Sequence, residues 1–312
     1  MEVAFDERTA ASVLAAHRDR LRDIDPLLPE AGPLPSPGEA DTLLAVDGAV
    51  GLSRRILLDP DDVQATWGAL DQRWLSAHAT SPVALAGLLG RWREHLAELP
   101  GIPGDTTAIV VWPSRDVVMT SAFVTAGLVP DLVIGVRPAG RPTPAAENGA
   151  VRVRRASPDD LDDVVALRME EIRFGAQIGG PPSRPHSVRV MRDRYAATLA
   201  ADQPPVWLAF RDGRAVGMVS VAVGEQAAWA GAFVAAAPVA YVDCAAVLPA
   251  HRGGGVAAAL IDQVHRAMDG AGVAVTVLHY AALNPLSAPF WHRSGYRPLR
   301  SRWQLAALMT PP

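Results

Sequence analysis

The chain of 312 residues contains no lysine; all 29 of its basic residues are arginine. That absence excludes Schiff-base chemistry, self-acetylation on a lysine side chain, and a phosphate loop of the G-x-x-x-x-G-K-[ST] type. Cysteine occurs once, as Cys244, so no internal disulfide can form. Histidine, cysteine and the carboxylates show no metal-ligand spacing, and no metal is expected. No apolar run approaches the ~20 residues of a membrane-spanning helix, so no membrane partner is expected. The opening stretch MEVAFDERTAASVLAAHRDR lacks a basic segment followed by an apolar one and does not read as a signal peptide. With the lone cysteine, this leads to the expectation of a cytoplasmic protein.

What is present is ordinary for a globular chain, 49% hydrophobic and 20% charged, and the length predicts two domains. The net charge of −4 conceals an asymmetry. Residues 1–150 hold 12 Arg against 20 Asp and Glu, and residues 151–312 hold 17 Arg against 13. The acidic half argues against a nucleic-acid partner. The mildly basic half suits a small phosphate-bearing ligand.

Pattern predicts a helix over 7–24, a hairpin through Asp47-Gly48, and helices near 60–78 and 82–98, the last capped by Ser81 with Pro82 behind it. A strand at 106–112, a helix at 114–126 and a strand at 131–136 follow. Residues 138–150, PAGRPTPAAENGA, read as a linker between domains 1–137 and 151–312. The second half opens with a strand at 151–155 and a capping box at Ser157 leading a helix. Beyond an irregular stretch at 174–186 come a helix near 187–201, a hairpin through Asp212-Gly213 and a strand at 239–248. A helix at 255–269, a strand at 273–279, a helix at 285–294 and a last strand from 297 complete it. Strands alternating with helices imply an α/β fold with a mixed sheet covered on both faces.

The most informative segment joins the strand at 239–248 to its helix: Val247-Leu248-Pro249-Ala250-His251-Arg252-Gly253-Gly254-Gly255-Val256-Ala257. Glycines admit a ligand close to the backbone, and the free N–H groups of the following helix form an anion site. A glycine run alone is as often only a flexible turn. This one resembles the pyrophosphate loop of the GCN5-related N-acetyltransferases (GNAT), whose core [QR]-x-x-G-x-[GA] is met by residues 252–257. A second family signature follows one strand later, as Asn284, Trp291 and Gly295-Tyr296.

The resemblance implies two GNAT-like domains, each a mixed, mostly antiparallel twisted sheet flanked by helices. The second would use acetyl-CoA as cosubstrate. Its pyrophosphate would rest on Arg252, Gly253, Gly254, Gly255, Val256 and Ala257. Ala245, Ala246 and Val247 would pair with its pantetheine arm, and Asn284, Ser287 and Trp291 would flank the thiol end. The implied reaction is attack by an amine of a small molecule or peptide, which needs a base. His279 and Asp243 are both base candidates, the latter sharing a strand face with Tyr241. The competing readings are a histidine bonded within the sheet and an ordinary ion-paired carboxylate. Many family members carry Tyr where this chain has Trp291, so Tyr280, Tyr296 or water would serve as acid, or none is used. Cys244 reads as a small core residue. Residues 174–186 and 224–238 are the expected walls of the acceptor pocket. A homodimer is left open.

The first half resembles a degenerate copy: counting back from Gly127 and Gly295, Phe123 matches Trp291 and Asp116 matches Asn284. No [QR]-x-x-G-x-[GA] motif occurs there. A catalytically weak acyl-CoA-binding module or a scaffold protein is the alternative expectation.

Overall fold

The computed structural model describes residues 6–141, 151–181 and 183–305. In chain order they form α1 (Glu7–Leu21), β1 (Thr42–Val46), β2 (Ala49–Leu57), β3 (Asp71–Ala79), α2 (Pro82–Ala97), β4 (Thr106–Pro113), α3 (Thr120–Thr125) and β5 (Leu128–Pro138). There follow β6 (Arg152–Arg155), α4 (Leu161–Ala176), α5 (Ser187–Leu199), β7 (Val206–Arg211), β8 (Arg214–Ala222), β9 (Val239–Val247), α6 (Val256–Gly270), β10 (Val275–Ala281), α7 (Ser287–Arg293) and β11 (Arg297–Leu305). Most of the expected linker, residues 142–150, lies outside the described residues.

The chain divides into two compact units, Met1–Val133 with Pro298–Pro312, and Ile134–Arg297. A division into consecutive segments therefore misses an exchange of strands. In the first unit β11 pairs antiparallel with β4, from Arg300↔Pro113 to Gln304↔Ile109. Trp303 stacks on Phe123 at 4.8 Å, and Arg302 Nε bonds Asp131 at 2.9 Å. In the second unit the later residues of β5 neighbour β10. Sequence pattern marks where a strand lies, but the ladder it joins is set by which buried partners await it.

The first unit is built on an antiparallel meander of β1, β2 and β3, with α2 crossing over to β4, which runs parallel to β3. Leu85, Leu88, Leu89 and Trp92 form the fully buried stripe of α2, as its 3.6-residue period requires. Ser81 Oγ caps the helix at Ala84 N, 3.2 Å away. The helix expected over 60–78 is replaced by a single 3-10 turn, Val63–Thr66, and by β3. The reading failed because β3 turns charge inward. Asp71 is wholly buried, yet it accepts bonds from Arg55 Nε at 2.8 Å and Arg73 Nη2 at 3.1 Å. Only such pairing makes buried charge tolerable.

In the second unit the sheet order is β10-β9-β8-β7-β6, antiparallel except for β9 beside β10. Gly217 of β8 admits α6: a Cβ there would stand 2.9 Å from Val256 Cγ1. Three residues along, on the opposite face, Ser220 Oγ meets Tyr195 Oη of α5 at 3.1 Å. The unit is thus a mixed, mostly antiparallel sheet flanked by helices. The capping box at Ser157 is present, with Asp160 closing it.

Two irregularities prepare the site. The parallel ladder of β9 and β10 ends at Val242↔Leu278, although the strands run on to Val247 and Ala281. A register shift between Ser220 and Val221 pairs Cys244 and Val242 with β8 but skips Asp243. Asp243 is therefore a bulge, lying where the two parallel strands part company.

Candidate active site

The loop between β9 and α6 sets up one wall. Gly253 and Gly255 have φ of +74° and +77°, a region that disfavours a side chain. Gly255 is the N-cap of α6 and supplies no side-chain cap, so the first N–H groups of a 15-residue helix are left for an anion. Gly254 has a different reason to be glycine: a Cβ would lie 2.8 Å from both terminal nitrogens of Arg211. Arg211, from the end of β7, donates from Nη2 to the Gly254 carbonyl. This second cation under the loop went unnoticed in the sequence, because nothing in a hairpin arginine announces a loop that lies 43 residues away.

Arg252 is engaged by the protein. Its Nε donates to Val247 O at 3.1 Å, Nη2 lies 3.4 Å from Glu170 Oε1, and its guanidinium sits 4.6 Å from the Phe174 ring centroid. It ties the loop to α4. Val256 is buried against β8, and Ala257 is half-buried in the first turn of α6. Ala245, Ala246 and Val247 lie beyond the end of the β9–β10 ladder, bonded to β8 on their other edge.

The second group surrounds His279 on β10. Tyr241 Oη lies 3.0 Å from His279 Nδ1. Trp229 and Phe233 complete an aromatic wall, with Trp229 4.6 Å from the Tyr241 ring and Phe233 5.6 Å from the His279 ring. Both come from the 3-10 segment Gly224–Phe233, and Trp229 is 49% exposed. Alternation along β9 and β10 brings Tyr241 and His279 to one face. The segment 224–238 was an expected pocket wall, but an irregular stretch carries no period that would single out these two side chains.

Asp243 is bound into a network. It accepts bonds from Arg194 Nη2 at 3.0 Å and Ser220 Oγ at 3.1 Å, while its carbonyl takes Arg168 Nη1 at 3.1 Å. Burial pushes its carboxyl up, but the guanidiniums of Arg168 and Arg194 outweigh this and hold it below the usual range. The bulge also turns Cys244 toward Arg168, and burial pushes that thiol up to about 12. It is a core residue, not a nucleophile.

Glu171 of α4 behaves in the opposite way. Its Oε2 is buried without a hydrogen-bond partner, 3.4 Å from Arg168 Nη1. Burial pushes the carboxyl up; Arg168 opposes that and the Asp243 charge adds to it. The two carboxylates and two guanidiniums of this network balance in charge.

The remaining predicted residues are dispersed. Asn284 Oδ1 accepts from Leu286 N at 2.9 Å and Ser287 N at 3.3 Å, opening α7. Trp291 is buried between Phe290 and Tyr296, at 4.8 and 5.3 Å, as packing. Tyr280 Oη meets His292 Nε2 at 3.0 Å, and Tyr296 Oη meets His265 Nε2 at 3.2 Å. Burial pushes the Tyr280 phenol up to about 12. Neither tyrosine joins the His279 cluster. No group of three metal-ligating side chains occurs among the described residues.

Residues 169–296 match the model of the Acetyltransferase (GNAT) family. Among solved structures, a GCN5-related N-acetyltransferase from Sphaerobacter thermophilus is 16% identical with a TM-score of 0.52. It covers 82% of this chain and 80% of its own. A second, from Kribbella flavida, is also 16% identical, with a TM-score of 0.45 and 95% coverage of each chain. A third, from Ralstonia eutropha, is 22% identical with a TM-score of 0.37, spanning 47% of this chain and 93% of its own. No curated protein matches the sequence. The first of these likenesses speaks to the fold, and the family match covers the glycine loop, the parted strands and α7. The likeness to the acetyltransferase (GNAT) family therefore rests on residues 169–296.

Proposed function

We propose that the second unit transfers an acetyl group from acetyl-CoA to an amine of a small molecule or peptide, with His279 as general base. The observation that carries this reading is the parting of β9 from β10 at Asp243 and His279, beside a glycine loop whose helix has no side-chain cap. The residues fit the cosubstrate. Residues 252–257 would hold its pyrophosphate on backbone N–H groups, with Arg211 and the dipole of α6 adding positive charge. When bound, acetyl-CoA supplies an acyl carbonyl activated as a thioester.

His279 is favoured over Asp243 as base because Asp243 is already committed to Arg194 and Ser220. In the tautomer with Nδ1–H donating to Tyr241 Oη, Nε2 is the ring nitrogen that carries the basic lone pair. Imidazole is the side chain most often used as a general base near neutral pH. Glu171 is a second acceptor of protons in reserve, with its carboxyl raised by burial. The aromatic wall of Trp229, Phe233 and Tyr241 favours an acceptor with an apolar body beside its amine. Tyr280 and Tyr296 are paired elsewhere, so the leaving thiolate departs without tyrosine acid. The first unit is read as a copy that has lost cosubstrate binding.

The lack of a tyrosine acid also favours a second reading, an acyl-CoA-binding module with little turnover. Calorimetric titration with acetyl-CoA tests the common ground: one equivalent bound per chain supports both, and no binding overturns both. Release of free CoA thiol against a panel of amines then separates them. Turnover that disappears in His279→Ala while acetyl-CoA still binds supports the enzyme; binding without turnover for any amine supports the module.

A further inference from the structure

At the opposite end of β9 from the glycine loop lies a cavity of ≈ 830 Å³ within the second unit. It is bounded by the last turn of α6, the starts of β7 and β9, and the segment Gly224–Phe233. Val239 and Val247 are the ends of β9, eight residues or about 26 Å apart. The cavity is therefore separate from the parted strands. Its lining is dominated by Ala, Val, Gly and Met side chains, and it includes no carboxylate. The single charged lining residue is Arg155.

Arg155 is held in place. Its Nη1 donates to the Pro204 carbonyl at 2.8 Å and to the Gln203 carbonyl at 3.4 Å, and its guanidinium lies 4.5 Å from the Trp207 ring centroid. Those contacts leave its Nε and Nη2 edge without a protein acceptor among the described residues. An orienting stack and two backbone bonds from Nη1 fix the fork in advance, which is the arrangement that suits a carboxylate. An apolar chamber of this volume with one convergent cation selects an anion with an apolar body. We propose that this cavity is a second binding site, for a small carboxylic acid with an aliphatic body.

Its back wall is shared with the active-site region. Ala227, Ala228 and Gly231 line the cavity, while Trp229 and Phe233 of the same 3-10 segment pack on Tyr241 and His279. Occupancy is thus sensed by the segment that walls the acceptor side, and KM for the acceptor, more than kcat, is the parameter it changes.

The experiment is calorimetric titration of the full chain with sodium octanoate, with 1-octanol as the uncharged control. Octanoate is expected to bind one per chain. Arg155→Gln should weaken it ~10-fold, to about the level of octanol, because a charge-assisted pair is lost. Ala267→Trp fills the cavity from α6 and should abolish binding while leaving the thermal melt and acetyl-CoA affinity unchanged. Gly255→Glu, which targets the glycine loop, should keep octanoate binding intact. Failure of octanoate to bind wild type overturns the proposal, as does equal binding to Ala267→Trp. Loss of octanoate binding in Gly255→Glu overturns it too, since the probe would then occupy the loop. None of these outcomes bears on acetyl-CoA binding to wild type, so the site and the proposed activity fail separately.

Discussion

The two units carry the same succession of strand, helix and parallel strand, and they treat it in opposite ways. In the first, β3 passes to α2 through two residues, with Ser81 capping the helix and Pro82 at its first position. In the second, β9 passes to α6 through residues 248–255, and the cap is a glycine without a side chain. Both parallel ladders stop early, at Leu75↔Val110 and at Val242↔Leu278. Beyond the stop in the first unit, His17 of α1 bonds the Ala79 carbonyl at 3.1 Å and packs 4.9 Å from His78. Asp116 is buried and accepts Arg20 Nη1 at 2.6 Å and Trp112 Nε1 at 2.7 Å. One opening is filled by the protein's own side chains; the other is the one that the proposed function assigns to acetyl-CoA. A strand break is thus not a binding site until the chain declines to fill it.

The sharpest way to break this comparison is Gly255→Glu. The substitution puts bulk and negative charge on a left-handed residue at the helix N-terminus. Acetyl-CoA binding measured by calorimetry should vanish, whereas Ser81→Glu at the equivalent turn of the first unit should leave it unchanged. Next in size is His279→Ala, expected to lower kcat by ~100- to 10,000-fold as general base, with acetyl-CoA affinity held within about twofold. His17→Ala should leave kcat alone.

The filled opening predicts stability effects instead. Asp116→Ala strands the buried donors of Arg20 and Trp112 and should cost about 3 kcal/mol in urea unfolding, with no change in acetyl-CoA binding. Acid should act through the buried histidines of both units. Burial, aided by the charges of His17 and Arg18, lowers His78 to about 4, and burial with Arg137 lowers His265 to about 3. The neutral ring is the form the fold favours. Stability is full above the unfolded value near ~6.5 and is lost as pH falls toward the folded values, by about 2 kcal/mol per histidine at pH 5. His78→Phe should lose less between pH 7.5 and pH 5 than wild type; an equal loss would sink the assignment. The smallest effect is Ser81→Ala, about 1 kcal/mol from a lost cap.

Much of this was legible in the residues. Alternation and 3.6-residue periods located α2, α4, α6 and the hairpins, because each buries one face against a single neighbour. The reading broke at β3, whose inward Asp71 accepts from Arg73 of the same strand and from Arg55 of another. It also missed Arg211 and Glu171, and named the wall at 224–238 without Trp229 and Phe233, because these roles depend on neighbours far along the chain. Asn284 and Trp291 were found by motif, yet one opens a helix and the other packs a core.

By itself the sequence determined that α6 would begin uncapped at a glycine loop, that no lysine or disulfide chemistry was available, and that a family signature lay at 252–257 and 284–296. Those are local properties, written in which residue stands at which turn. The tertiary structure decided that β11 closes the first unit, that the ladder opens at Asp243 and His279, and that Arg194 and Ser220 engage the Asp243 carboxylate. It did so because strand pairing, burial and the strength of a charge depend on what lies across the fold, and chain order does not record that.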